Sequence, residues 1–195
     1  MGKQKLSESF GFIGFALSED EMIWQGKFAK EVNNETVRGS VLNIASFIDE
    51  LLSNLLKAYF PNENKAENLL SSLDGCLSTI IYKANIASAL GLIKDKELDN
   101  IKHIARIRNL FAHKWDGLSF DDEDVIKSVR KLNNRVLDQL EYTHKAKFNF
   151  VCGQIIQELI QRKYYAENIK KHLPKEYKYL DELSHEERVK LVEQN

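Results

Sequence analysis

A long amphipathic segment between residues 35 and 60 most strongly constrains the fold of this chain. Its apolar residues recur every three or four positions, which is the spacing of one face of an α-helix: Val37, Val41, Ile44, Ile48, Leu51 and Leu55. No proline interrupts the segment before Pro61, which cannot continue a helix. With 2 prolines and 9 glycines in 195 residues, the chain favours long helices over many short strands.

Further helices are predicted on both sides of this segment. A capping-box pattern at residues 18–21 begins a helix that reaches about residue 30. Asp95 is expected to cap a helix that ends near His113. The remaining helices are predicted at about residues 66–73, 79–90, 124–140 and 147–172. For the last twenty or so residues three predictions stay open: a short helix, a packing arm or a partly frayed tail.

Short connections between long helices predict an all-α, up-and-down helical bundle with helical N- and C-terminal extensions. The bundle itself is expected at residues 34–143, with an N-terminal extension at 1–33 and a C-terminal extension at 144–195. A chain of this length has room for one complete core.

Charge and composition argue against a histone-like protein, a membrane-spanning protein and a zinc-binding protein. The net charge of −1 gives no overall basic field, and we see neither a helix-turn-helix pattern nor a basic stripe. The apolar run at residues 10–17 is too short to cross a bilayer, so we expect a cytoplasmic protein without a membrane partner. Cys76 and Cys152 lack metal-site spacing, so we expect two buried thiols, no metal and no cofactor.

The string RNLFAH at residues 108–113 is the strongest candidate for a functional site. Asn109 and His113 are four residues apart and share a helix face, while Arg108 reaches round from the side. Lys114 and Trp115 follow directly, so cations, an imidazole and a flat ring meet at one helix end. Such a group could hold a phosphate, stack a base and move a proton.

A structural explanation of the same residues is open, because Arg and His stabilise helix C-termini without any further role. Other residues leave similar alternatives. Lys83 could contact a phosphate or be a solvated or snorkelling lysine, and Arg38 could be an interface or substrate contact or form a structural salt bridge. Asp49 could polarise a neighbouring group or belong to a solvated helix face.

RNA cleavage without metal needs one group to activate the 2′-OH and another to protonate the leaving oxygen. One chain supplies only one suitably placed histidine, His113, whereas a symmetric homodimer supplies two. The RNA-cleavage hypothesis therefore includes a homodimer.

The RNLFAH string resembles the Arg-Asn-x-x-x-His signature of HEPN domains, small helical bundles found in toxin-antitoxin, phage-defence and CRISPR ribonucleases. The resemblance implies that Arg108 and His113 are catalytic and that Asn109 orients them across a dimer interface. The resemblance also allows a HEPN domain that has lost catalysis and only binds nucleotides or RNA. Some HEPN toxins carry a tyrosine, modified by an antitoxin, where this chain has Trp115, so the resemblance does not imply that control.

Residues 35 to 140 also resemble the mannitol operon repressor family. The resemblance rests on ETVRGSVLNIASFIDELLSNLL, on YKANIASALGLIKDKELDNIKHIARIRNLFAH and on LSFDD, in that order. Two functions therefore stay open. One is a metal-independent endoribonuclease, as a toxin or in phage defence, with RNA contacts at Arg38, Lys83, Lys114 and Trp115. The other is a non-catalytic transcriptional regulator that acts through an antitoxin or another protein partner.

Overall fold

Eight α-helices make up most of the computed structural model, which describes residues 3–12, 18–71, 75–114, 116–169 and 183–193. In chain order they are α1 (Glu19–Asn34), α2 (Val37–Tyr59), α3 (Glu63–Leu70), α4 (Ile80–Ala89), α5 (Asp95–His113), α6 (Glu123–Lys131), α7 (His144–Ile169) and α8 (His185–Glu193). A 3₁₀ helix spans Arg135–Gln139, and strands β1 (Gln4–Lys5) and β2 (Leu140–Glu141) pair in parallel. The predicted all-α helical bundle is confirmed.

Local capping explains where several helices begin and end. The Thr79 hydroxyl accepts a hydrogen bond from the backbone N–H of Tyr82, and Gly91, at φ +71°, follows the end of α4 as predicted. The prediction that Asp95 caps α5 is wrong by one residue. Lys94 is the N-cap, and its backbone N–H donates to the Glu97 carboxylate at 2.7 Å.

The centre of the bundle is the packing of α2 against α7, and one apolar cluster joins all three predicted segments. It contains Phe10 from the first segment, Ile44 and Ile48 from the second, and Phe148 and Ile156 from the third, all buried. The boundaries at residues 33 and 143 therefore do not separate the core. Within the described residues, no helix is long and apolar enough to cross a membrane.

The segment before α1 is bound closely to the bundle. The backbone N–H of Phe10 donates to the Asn33 amide oxygen at 2.8 Å, and the Asn33 amide nitrogen donates back to the Phe10 carbonyl at 3.0 Å. Tilted ring contacts then join Phe12 to Phe28, and Phe28 to Phe47 on α2. This aromatic packing connects the first segment and α1 to α2.

The helix predicted over residues 124–140 is wrong in its second half, because α6 ends at Lys131. The Asn133 backbone N–H donates to the Asn100 side chain, which in turn donates to the Asn133 carbonyl. Asn134 then caps the 3₁₀ helix by accepting from the Val136 N–H. These side-chain bonds satisfy the backbone in a non-helical conformation, so the periodic spacing of Leu132, Val136 and Leu140 does not extend the helix.

The predicted helix at 147–172 begins three residues early, at His144, and its predicted end at His172 lies outside the described residues. The last charged segment contains α8, as one of the three predicted alternatives proposed.

Candidate functional site

The RNLFAH motif forms the last turns of α5, where its polar side chains are exposed. Arg108, Asn109 and His113 are all on the surface. His113 lies five positions after Arg108, which places their side chains roughly 140° apart around an ideal helix axis. The two therefore point to different sides of α5.

Arg108 and Asn109 line a groove between α2, α4 and α5, which we call the Arg108 groove. Its volume is about 450 Å³. It is lined by Ala45, Ser46 and Asp49 of α2, by residues 78–82 at the start of α4, and by Ala105, Arg108 and Asn109. Tyr82, which is 54% exposed, forms part of its wall.

His113 lies in a second groove of about 440 Å³ on the other side of Asn109, the His113 groove. Ile81, Ala105 and Leu110 give it an apolar floor, and its other lining residues are Lys102, Arg106, Asn109, His113 and Lys114. Ile81, Ala105 and Asn109 belong to both grooves, and the exposed Asn109 forms the ridge between them. A ligand that contacts both Arg108 and His113 of one chain must cross this ridge.

A cationic stripe runs along α5 into the motif. Lys102, Arg106, Asn109 and His113 follow each other at intervals of four, three and four residues. On an ideal helix this spacing keeps them within roughly 60° of one another. We did not predict this stripe from the sequence, although the spacing of Lys102 and Arg106 from His113 indicates it.

Two side-chain hydrogen bonds organise the end of α5. An Arg108 Nη donates to the Asn109 amide oxygen at 3.1 Å. From the first turn of α2, an Arg38 Nη donates to the Ala112 carbonyl at 3.1 Å, which satisfies a carbonyl that the helix leaves free. Arg38 thus contacts the motif itself, whereas the sequence left open an interface or substrate contact and a structural salt bridge.

Lys83 differs most from its sequence interpretation. The sequence left open a phosphate contact and a solvated or snorkelling lysine, but the Lys83 side chain is 5% exposed, and its ammonium donates to both Asp49 carboxylate oxygens at 2.9 Å. A phosphate could take this ammonium only by displacing Asp49. The Asp49 side chain is 33% exposed and reaches the Arg108 groove, so the ion pair forms part of the groove's support.

The remaining predicted RNA contacts lie next to the motif in sequence. Lys114 is the C-cap of α5, is exposed, and lines the His113 groove. Trp115 lies outside the described residues. The structure therefore brings Lys114 to His113, separates Lys83 from solvent, and ties Arg38 to the backbone of Ala112.

Neither cysteine belongs to a metal-binding cluster in the described part of the chain. No group of three His, Cys, Asp or Glu side chains there could hold a metal ion. Cys152 is buried as expected, and burial raises its thiol pKa well above the usual value. The expectation of burial is wrong for Cys76, which is exposed.

Comparison of the sequence with protein-family models and with curated proteins, and of the fold with solved structures, finds no match. The likeness to HEPN domains and to the mannitol operon repressor family therefore stays a prediction from the sequence.

Proposed function

We propose that this protein is a metal-independent endoribonuclease of the HEPN type, acting as a toxin or phage-defence effector. The observation that carries the proposal is the exposure of Arg108, Asn109 and His113 at the ridge between two grooves, beside a cationic stripe. An exposed guanidinium can stabilise the charge that develops on a phosphorane, and an imidazole can transfer a proton.

The proposed active site is completed by a second copy of the chain. Arg108 and His113 of one chain line separate grooves, so one motif does not surround a phosphate from both sides. A two-fold homodimer with the end of α5 at its interface would place a second His113 across the cleft. One imidazole would then accept the 2′-OH proton while the other protonates the leaving 5′ oxygen. The products are a 2′,3′-cyclic phosphate and a 5′-OH.

Arg38 has a positioning role in this proposal. Its bond to the Ala112 carbonyl holds the backbone next to His113, so that the imidazole keeps its direction on the last turn. Arg108, with Asn109 accepting one of its N–H groups, keeps further N–H donors for a phosphate.

The test is cleavage of a mixed-sequence single-stranded RNA in EDTA by the wild type and by His113→Gln. We expect a loss of roughly 100-fold or more in the variant, the usual scale for a general acid or base. The matched control is His103→Gln, which makes the same change on the same helix at a residue outside both grooves. Product ends are checked for the cyclic phosphate.

Substitution of Arg108 gives a second test of the proposed reaction. Arg108→Lys keeps the charge but loses the planar fork that grips a phosphate at two points, so turnover should fall. Arg130→Lys, on the exposed surface of α6, is its control. A folded wild-type protein that leaves every RNA intact, or a monomer by light scattering at micromolar concentration, would refute the composite site.

The separation of Arg108 from His113 also favours a second candidate, a non-catalytic regulator in the manner of the mannitol operon repressor family. In that case the motif binds an antitoxin or another protein partner, and His113→Gln changes binding of that partner without any RNA cleavage. Equal RNA stability in the presence of wild type and variant would favour this function.

A further inference from the structure

The cationic stripe extends well beyond the residues that the proposed reaction uses. Lys102 lies eleven residues before His113, which corresponds to about 16 Å along the axis of α5. Arg106 lies between them, and both side chains are exposed in the His113 groove. One reacting phosphate occupies only the end of this length, so the groove has room for further phosphates.

The positive charge of the His113 groove favours an anionic ligand. Its ionisable lining residues within the described part of the chain are Lys102, Arg106, His113 and Lys114, and no carboxylate is among them. A second copy that filled the whole groove with the same face would set Lys102 and Arg106 against their own counterparts at a cost, whereas the proposed dimer contact needs only the end of α5. A polyanion is complementary to them and is attracted at long range.

A flat surface is available on the other side of the ridge. Tyr82 is 54% exposed and lines the Arg108 groove, immediately after Ile81, which belongs to both grooves. Exposed aromatic rings beside a cationic groove are the usual platforms on which the bases of a single strand stack.

We infer that one nucleic-acid strand crosses α5 at Asn109, with backbone phosphates on Lys102 and Arg106 and an unpaired base on Tyr82. The inference deepens the proposed function and rests on it only for the chemistry at His113. Lys102 and Arg106 then bind the strand outside the reacting bond, and Tyr82 requires a base that is free to stack. Duplexes bind more weakly because their bases are already stacked.

Binding is tested separately from cleavage with a fluorescent single-stranded DNA of mixed sequence, because DNA lacks the 2′-OH that the reaction needs. Anisotropy titrations are made over a series of salt concentrations. For Lys102→Gln/Arg106→Gln we expect the slope of log K against log salt to fall by about 1.4, roughly 0.7 for each lost phosphate contact on a single strand. The control, Lys27→Gln/Lys30→Gln, removes two exposed cations of α1 and should keep the wild-type slope.

If a base stacks on Tyr82, then Tyr82→Ala should weaken single-strand binding by about 5- to 150-fold, the range measured for loss of one stacked base. Tyr82→Phe keeps the ring and should keep most of the affinity. The control is Tyr164→Ala, which removes a ring of similar exposure, 51%, from α7. Duplex DNA of the same sequence should bind more weakly and be indifferent to Tyr82→Ala.

Unchanged DNA binding in the Lys102/Arg106 or Tyr82 variants would overturn the inference, even if RNA cleavage still depended on His113. A shift of the dimer dissociation constant by Lys102→Gln/Arg106→Gln, without a change in DNA binding, would overturn it in favour of a second copy in the groove. The expected DNA binding without any RNA cleavage would support the strand path and refute the proposed function.

Discussion

The ion pair between Lys83 and Asp49 predicts an unusual asymmetry between its two single substitutions. Its two side chains differ sharply in exposure, 5% for Lys83 and 33% for Asp49. Asp49→Ala leaves the Lys83 ammonium without its carboxylate and almost without water. Lys83→Met instead keeps the apolar stem and leaves a carboxylate that water can reach. The more exposed partner should therefore be the more costly one to remove.

The magnitudes follow from burial. An uncompensated buried charge costs about 3–5 kcal/mol, which is the value expected for Asp49→Ala. Loss of a charged hydrogen bond to a partner that can rehydrate costs about 1–3 kcal/mol, which is the value expected for Lys83→Met. In a chain of this size 1 kcal/mol corresponds to about 2–4 °C, so the melting temperature should fall by roughly 6–20 °C and 2–12 °C respectively.

The assay is urea unfolding and thermal unfolding at pH 7 of the two single variants and of Asp49→Ala/Lys83→Met. The double variant should be more stable than Asp49→Ala alone, because it removes the stranded ammonium. Lys57→Met breaks the more exposed ion pair with Glu67 and should change the melting temperature least. If Lys83→Met is as damaging as Asp49→Ala, or the double variant is the least stable, the reasoning from burial is wrong.

Three further predictions concern residues outside the two grooves. Burial lowers the pKa of His103 from its ordinary value of 6.5, so the unfolded chain binds the proton more readily and stability should fall as the pH drops below that value. His103→Gln should flatten this loss in urea unfolding between about pH 7 and 5. A thiol reagent at neutral pH should label Cys76 at once and Cys152 only on unfolding, since burial raises the pKa of Cys152; equal rates would contradict this. Asn100→Ala removes both bonds to the Asn133 backbone and should cost about 1–3 kcal/mol in thermal unfolding, whereas an unchanged melting temperature would exclude that role.

The helices that the sequence predicts well are those whose limits depend on nearby residues. Pro61 follows the end of α2 closely, and Thr79 and Gly91 mark the ends of α4 within the segment itself. The end of α6 depends instead on Asn100, 33 residues before Asn133. Apolar spacing cannot reveal such a partner, and it continues unchanged through the break.

In the candidate site, too, the sequence predicts what nearby residues determine and misses what distant residues determine. The sequence predicts the shared face of Asn109 and His113, because four-residue spacing fixes it on any helix. It does not predict that Arg108 and His113 line different grooves, since the other wall of the Arg108 groove comes from α2 and α4, and Ile81 of α4 borders the His113 groove. Nor does it predict the burial of Lys83, whose partner Asp49 lies 34 residues away on α2.

The parallel pairing of β1 with β2 has a consequence for synthesis. Gln4 pairs with Leu140, 136 residues later, and the Asn149 amide nitrogen donates to the Glu8 carbonyl from still further along the chain. At roughly 5–20 residues per second, the ribosome needs about 7–27 s to make β2 after β1. Glu8 lacks its hydrogen-bond partner Asn149 for at least that time. Residues 4–8 therefore reach their final contacts only after β2 and α7 have been made, whereas the ring contacts that join Phe12 through Phe28 to Phe47 need only α1 and α2.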